Sequence, residues 1–192
     1  MKPVVGNNVQ TCGKPAEGKE RVLFFVYGNL TDPQTVSSRL RGLAARFRYQ
    51  DARILDFILL RHGARGRYDT LFPFKGGATW GKLLEIECSS KEEVLKRLDE
   101  YEGVPDLYEK FEFRTQDGRE CYVYVSNPAK VKIEGFHSAV GKDLQEVIRR
   151  GGWRSYLAET GKSPLVEVAG GVGRWRKTGE PVAPPRWGDR QP

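Results

Sequence analysis

Glu102 stands where a helix should bury an apolar side chain. Val94, Leu98 and Glu102 are spaced by four, so they share one face of a helix over about 91–101. Val94, Leu95, Leu98 and Tyr101 make that face apolar. A carboxylate at its end is aimed toward the core. It also sits at a helix C-terminus, where the macrodipole opposes negative charge, and Asp99 three residues earlier can add like-charge repulsion. Burial, dipole and neighbour all push a carboxyl pKa upward, toward the range in which one group can both take and return a proton. The spacing leaves a second reading equally open: a frayed helix end from which Glu102 reaches water or pairs with Lys110.

A second segment offers binding rather than proton transfer. Tyr27-Gly28-Asn29-Leu30 follows the most apolar run of the chain, Val22 to Val26. A glycine turn between a strand and a helix presents backbone N–H groups, which hold carboxylates or phosphates, and glycine lets a ligand approach the backbone. The turn lacks the further glycines and the lysine of nucleotide-binding loops. Tyr68 and Tyr108 can line a pocket with their hydroxyls, although half-buried aromatic packing explains either residue taken singly. His62 and His137 have no metal-ligand spacing and no serine nucleophile nearby, and no cysteine has a histidine at suggestive spacing. These residues point to no metal site and no thiolate chemistry.

The elements that must position these residues can be read in outline. Residues 1–20 have no period and read as a flexible arm. Residues 21–27 form the first strand. Asp32-Pro33 opens a short helix through about Leu40, because Asp caps and Pro suits the first turn. Residues 52–60 form a strand apolar on both faces, 63–77 read as loop, and 80–87 alternate as a strand. Ser90-Lys91-Glu92-Glu93 is a capping box for the helix ahead of Glu102. Strands over 108–115 and 120–126 flank Asp117-Gly118, a hairpin turn. Helices are expected over 136–150 and, more briefly, 153–160. Strands outnumber helices and are not separated by regular crossovers. This order predicts an α+β fold with a mixed, strongly curved sheet or small barrel, rather than a doubly wound parallel sheet. The domain spans about 21–160. Residues 161–192 change to Gly, Pro, Arg and Trp, and read as an extension wrapped on the domain through Trp175 or Trp187, since exposed tryptophan is costly.

At 192 residues the chain suits one domain with extensions. No apolar stretch is long enough to span a bilayer and the first residues lack a signal-peptide core, so a cytoplasmic protein away from membranes is expected. Cys12, Cys88 and Cys121 are odd in number and scattered, which fits reduced, inert thiols. The formal net charge is +7, with eight arginines between Arg39 and Arg67 against Asp51 and Asp56. A solvated basic surface is the plainer reading, and nucleic acid the lesser one, because few aromatics interleave the arginines. Oligomeric state is not legible.

Taken in order, these motifs resemble the gamma-glutamylcyclotransferase-like family, which includes gamma-glutamylamine cyclotransferase and the plant avirulence-induced proteins. That family shows Tyr-Gly-Ser/Thr-Leu, Gly-x-Tyr-Pro, Gly-x-Leu-x-Glu, Leu-Asp-x-Tyr/Phe-Glu-Gly, Tyr-x-Arg and a final Val-Tyr strand. Here they stand as Tyr27 to Leu30, Gly66-Arg67-Tyr68, Gly81 to Glu85, Leu98 to Gly103, Tyr108-Glu109-Lys110 and Tyr122-Val123-Tyr124. The resemblance covers about residues 21–126. It implies a small barrel with a central cavity and packed helices, a catalytic glutamate at Glu102 and a substrate-gripping loop at Tyr27, Gly28, Asn29 and Leu30. It also implies a reaction on a small gamma-glutamyl amine or peptide that releases 5-oxoproline and an amine, without metal or cofactor. Asn29 replaces Ser or Thr, Asp69 replaces the proline after Tyr68, and Lys110 replaces arginine. Asn29 can still donate and accept hydrogen bonds, whereas Asp69 near a cavity mouth would repel an acidic substrate. The rival readings are another acyl or amide substrate on the same scaffold, and a non-enzymatic protein that binds an acidic ligand or nucleic acid through its basic surface.

Overall fold

The computed structural model describes residues 10–12, 19–62, 68–126, 146, 149–150, 154 and 165–168. Strands β1 (Gln10–Cys12), β2 (Glu20–Val26), β3 (Ala45–His62), β4 (Tyr68–Cys88), β5 (Tyr108–Thr115), β6 (Glu120–Ser126) and β7 (Leu165–Val168) form one sheet, with helices α1 (Pro33–Arg39) and α2 (Lys91–Glu102). The strand order is β1-β3-β4-β2-β6-β5-β7, and β7 also pairs with β3. Six strands therefore close into a barrel, and β1 extends the β3 edge. The expected α+β architecture with a curved, closed sheet is the one present. Most pairs are antiparallel, while β2–β6 and β5–β7 are parallel.

The apolar run of β2 is buried on both faces, which explains why it does not alternate. Phe25 points into the barrel with Ala52, Ile54, Leu83, Val123 and Val166. Phe24 and Val26 point outward onto Val36 and Leu40 beside α1 and onto Val94 and Leu98 of α2. Burying one such Phe or Leu contributes roughly 1.5–3 kcal/mol, so this double-sided strand is the spine of the core. Gly81 on β4 is required by this packing. A Cβ there would lie 2.4 Å from the Val26 carbonyl oxygen and 2.8 Å from the Phe25 ring.

Both helices begin as their sequences predict. Asp32 caps α1, its carboxylate accepting from Gln34 N–H at 3.2 Å and Thr35 N–H at 3.0 Å, with Pro33 in the first turn. Ser90 caps α2 through Glu93 N–H at 3.2 Å. Gly103, in the left-handed conformation at φ 68°, ends α2 immediately after Glu102.

Three sequence expectations need correction. The strand expected over 52–60 runs from Ala45 to His62, and the segment expected to be loop-rich over 63–77 is strand from Tyr68 onward. Pro73, Gly76 and Gly77 carry the composition of a loop, but Pro73 still pairs with Phe57 and the two glycines lie in a bulge between Pro73 and Ala78. The register jumps between Leu55 and Phe57, Asp56 takes φ 59°, and Gly76 N–H donates to Asp56 Oδ1 at 2.7 Å. Finally, alternation over 80–87 does not separate wet from dry, because Leu83, Leu84, Glu85 and Ile86 are all buried. Glu85 is held by Arg48, with two contacts of 2.9 Å. Strand β1 arises within the segment read as an arm, and β7 within the segment read as an extension. The helices expected over 136–150 and 153–160, and Trp175 and Trp187, lie outside the described residues apart from 146, 149–150 and 154.

Candidate functional site

A cavity of about 320 Å³ opens at the end of β2. Tyr27, Gly28, Asn29, Leu30, Tyr108 and Glu102 all line it, so the structure brings together six of the seven residues singled out from sequence. The seventh, Tyr68, pairs with His62 at the hairpin end of β3 and β4, and its side chain lies outside the described residues. The lining also includes Asp69, Tyr101, Leu107 and Tyr124. Of these, Tyr124 entered the sequence reading only within the Tyr122-Val123-Tyr124 strand motif and not as a site residue, since a tyrosine in a strand reads as packing. Its partner Asp99 is distant in sequence.

Glu102 ends α2 one turn beyond Leu98, on the face that packs against the sheet. Where that packing stops, the cavity begins. Burial raises the Glu102 carboxyl to a pKa of about 7. Desolvation is the cause. Asp99, expected to add repulsion, is engaged elsewhere: Lys110 Nζ lies 2.6 Å from Asp99 Oδ2 and Tyr124 donates its hydroxyl to Asp99 Oδ1 at 2.7 Å. Lys110 therefore does not pair with Glu102.

The opposite wall is the Tyr27–Leu30 loop. A 3-10 turn over Asn29–Thr31 satisfies its carbonyls. The Gly28 oxygen accepts from Thr31 N–H at 2.9 Å and Thr31 Oγ1 at 2.7 Å, and the Asn29 oxygen accepts from Asp32 N–H at 3.1 Å. The Leu30 oxygen accepts from the Tyr49 hydroxyl at 2.9 Å. Among the described residues, the N–H groups of Gly28, Asn29 and Leu30 have no acceptor. A Cβ at Gly28 would meet nothing within 4 Å, so the space beside it is open. The loop thus offers donors to an anionic or carbonyl oxygen.

Tyrosines tie the two walls together. Tyr27 donates to the backbone carbonyl of Tyr124, and Tyr108 donates to the Asp69 carbonyl at 3.0 Å. Burial, then the nearby Tyr108, Glu102 and Asp69, push the Tyr27 hydroxyl well above its usual pKa, so it stays protonated. Burial and Asp99 do the same for Tyr124. Among the described residues no group of His, Cys, Asp and Glu could hold a metal ion. Cys88 and Cys121 are free and buried, and burial pushes the Cys121 thiol up to about 12. Among the described residues no helix is long and apolar enough to cross a membrane.

The family model for gamma-glutamyl cyclotransferase, AIG2-like proteins matches residues 24–155. The chain belongs to that family. Among solved structures it is similar to a gamma-glutamyl cyclotransferase at 21% identity, covering 69% of this chain and 100% of that one, with a TM-score of 0.42. It is also similar to an AIG2-like protein from Mus musculus at 21% identity, covering 60% and 86%, with a TM-score of 0.45. A protein from Arabidopsis thaliana is 23% identical, with 74% and 95% covered and a TM-score of 0.45. No curated protein matches the chain by sequence.

Proposed function

We propose that the protein is a cyclotransferase that converts a gamma-glutamyl amine or gamma-glutamyl peptide into 5-oxoproline and a free amine. The observation that carries this reading is the position of Glu102, half-buried in a cavity whose facing wall is the Tyr27–Leu30 loop. In the reaction the substrate's α-nitrogen attacks its own γ-carbonyl carbon. The new C–N bond closes the five-membered ring, and the original amide C–N bond breaks. Glu102 accepts a proton from the attacking ammonium and returns one to the leaving nitrogen, so the protons lost by one nitrogen are regained by the other. A carboxyl with a pKa of about 7 serves both steps near neutral pH. The N–H groups of Gly28 to Leu30 hold the substrate carboxylate or the developing oxyanion. Tyr108 borders the bound substrate. Because the reaction is intramolecular, a cavity that folds the substrate onto itself supplies much of the acceleration.

The test is an assay for 5-oxoproline against a panel of gamma-glutamyl amines and dipeptides, with Glu102→Gln alongside. Turnover by wild type and a loss of about a hundredfold or more in Glu102→Gln are expected. Full activity in Glu102→Gln would remove Glu102 from the reaction. If no panel member is consumed, the non-enzymatic reading through the basic surface takes its place.

A further inference from the structure

Three tyrosines that line the cavity, Tyr27, Tyr108 and Tyr124, give their hydroxyl protons to protein acceptors. Tyr124 gives its proton to Asp99 Oδ1 at 2.7 Å, Tyr108 to the Asp69 carbonyl at 3.0 Å, and Tyr27 to the Tyr124 carbonyl. A hydroxyl has one proton and two lone pairs. Toward anything in the cavity, these three groups can therefore only accept. The carboxylates that line the same cavity, Glu102 and Asp69, are acceptors too. Donors lie on the other wall, in the Gly28 to Leu30 backbone.

We infer that this wall reads an ammonium group, and that Asp99 and Lys110 set its polarity by fixing the direction of the Tyr124 proton. The inference rests on the cyclotransferase reading for the identity of the ligand, and it names which wall recognises the substrate's α-ammonium. Asp99 lies on α2 one turn before Glu102, on the side facing β5 and β6. Its Oδ2 is taken by Lys110 at 2.6 Å, so both carboxylate oxygens are acceptors and the bridging proton belongs to Tyr124. Tyr124 in turn is close enough to feel the charge of Glu102 as well as that of Asp99. It stands between the carboxylate that moves the proton and the ion pair that orients it. Asp99 and Lys110 touch no substrate in this scheme; they are positioning residues.

The polarity can be inverted by one substitution. In Asp99→Asn, the Lys110 ammonium takes the amide oxygen and leaves the amide NH₂ facing Tyr124. Tyr124 must then accept from Asn and turn its own proton toward the cavity, where it opposes an ammonium. Removing the cation as well, in the double variant Asp99→Asn with Lys110→Met, lets the amide rotate and offer its oxygen to Tyr124 again.

The test compares the affinity of L-glutamine, the simplest gamma-glutamyl amide, with that of its analogue lacking the α-amine, by ligand-observed NMR on the full chain. A lost hydrogen bond to a charged group corresponds to about a tenfold change in affinity or more. Wild type is expected to favour glutamine by about that factor. Asp99→Asn and Tyr124→Phe should each erase most of the preference, and the double variant should regain it. A merely structural role for Asp99 predicts that the double variant is worse than the single one. Equal binding of the two ligands by wild type, binding of neither at millimolar concentration, or an unchanged preference in Asp99→Asn overturns the inference. If Asp99→Asn fails to fold, judged by its melting curve, Tyr124→Phe decides. A preference for the ammonium without 5-oxoproline formation from any substrate would sink the cyclotransferase reading instead. Turnover without the preference would sink only the inference.

Discussion

Lys110 reaches Asp99 at 2.6 Å, one helical turn before Glu102. The cation that could have neutralised Glu102 is thereby spent on its neighbour. Glu102 is left with the full cost of desolvation and no compensating charge, which is why its carboxyl rises to about 7 while the ion pair beside it anchors α2 to β5.

The rate should follow that ionisation. Only ionised Glu102 can take a proton, so kcat/KM for a gamma-glutamyl substrate is expected to rise about tenfold per pH unit below neutrality and level off above about 7. A pH-rate profile checks this. An inflection near 4.5, the ordinary glutamate value, would mean that the group titrating in the free enzyme is not a buried Glu102.

Stability should move the opposite way. Glu102 has a pKa near 4.5 unfolded and about 7 folded, so the folded chain binds more protons in that window. Its contribution therefore declines as pH rises from 4.5 to 7, and the full cost is present above 7. Glu102→Gln removes the charge. It is expected to stabilise the protein by on the order of 2–3 kcal/mol at pH 8 and by little at pH 4. Denaturant melts of both proteins at the two pH values give the comparison, and equal differences at pH 4 and pH 8 would contradict the assignment.

Asp69 is expected to set the charge of the group released. It lines the cavity with Glu102, and its charge reaches the Tyr27 hydroxyl. Asp69→Asn should raise kcat/KM for substrates that release an acidic fragment by about fivefold relative to those that release a neutral one, as a unit charge at several ångström in a partly wet site implies. Parallel rises for both classes would place Asp69 outside specificity.

Gly81→Ala tests whether the loop depends on the strand beneath it. The added Cβ would lie 2.4 Å from a backbone oxygen of Val26, which cannot move as a side-chain tip can. A destabilisation of about 1–3 kcal/mol is expected, with a rise in KM because Val26 leads directly into the Tyr27–Leu30 loop. Wild-type stability in urea would show that β2 and β4 separate more easily than their packing indicates.

What the sequence reveals here depends on how local the physics is. The caps Asp32 and Ser90 and the Asp117-Gly118 hairpin act over a few residues, and the elements they bound appear as expected. Glu102 was legible because it breaks a periodic rule within its own helix. The long β3–β4 hairpin was not, since Pro73 and Gly76 carry the composition of a loop and the bulge at Gly76 is defined only by pairing across to Asp56. Tyr124 and Asp99 meet across 25 residues, and no pattern within either segment announces the contact. Strand β7 was hidden for the same reason: four residues become a strand only by pairing with Ala52 to Ile54 on β3 and with Arg114 and Thr115 on β5.

That last strand gives the molecule a timetable. Val166, fully buried, joins β3 and β5 through partners 112 residues earlier at Ile54 and 51 earlier at Thr115. Every cavity residue from Tyr27 to Tyr124 leaves the ribosome before β7 does. Until then the sheet that carries the site is an open ribbon with two rims, β5 and the part of β3 beyond its pairing with β1, each able to recruit a stranger's strand. Closure by four late residues is thus also the moment at which a growing chain stops being adhesive.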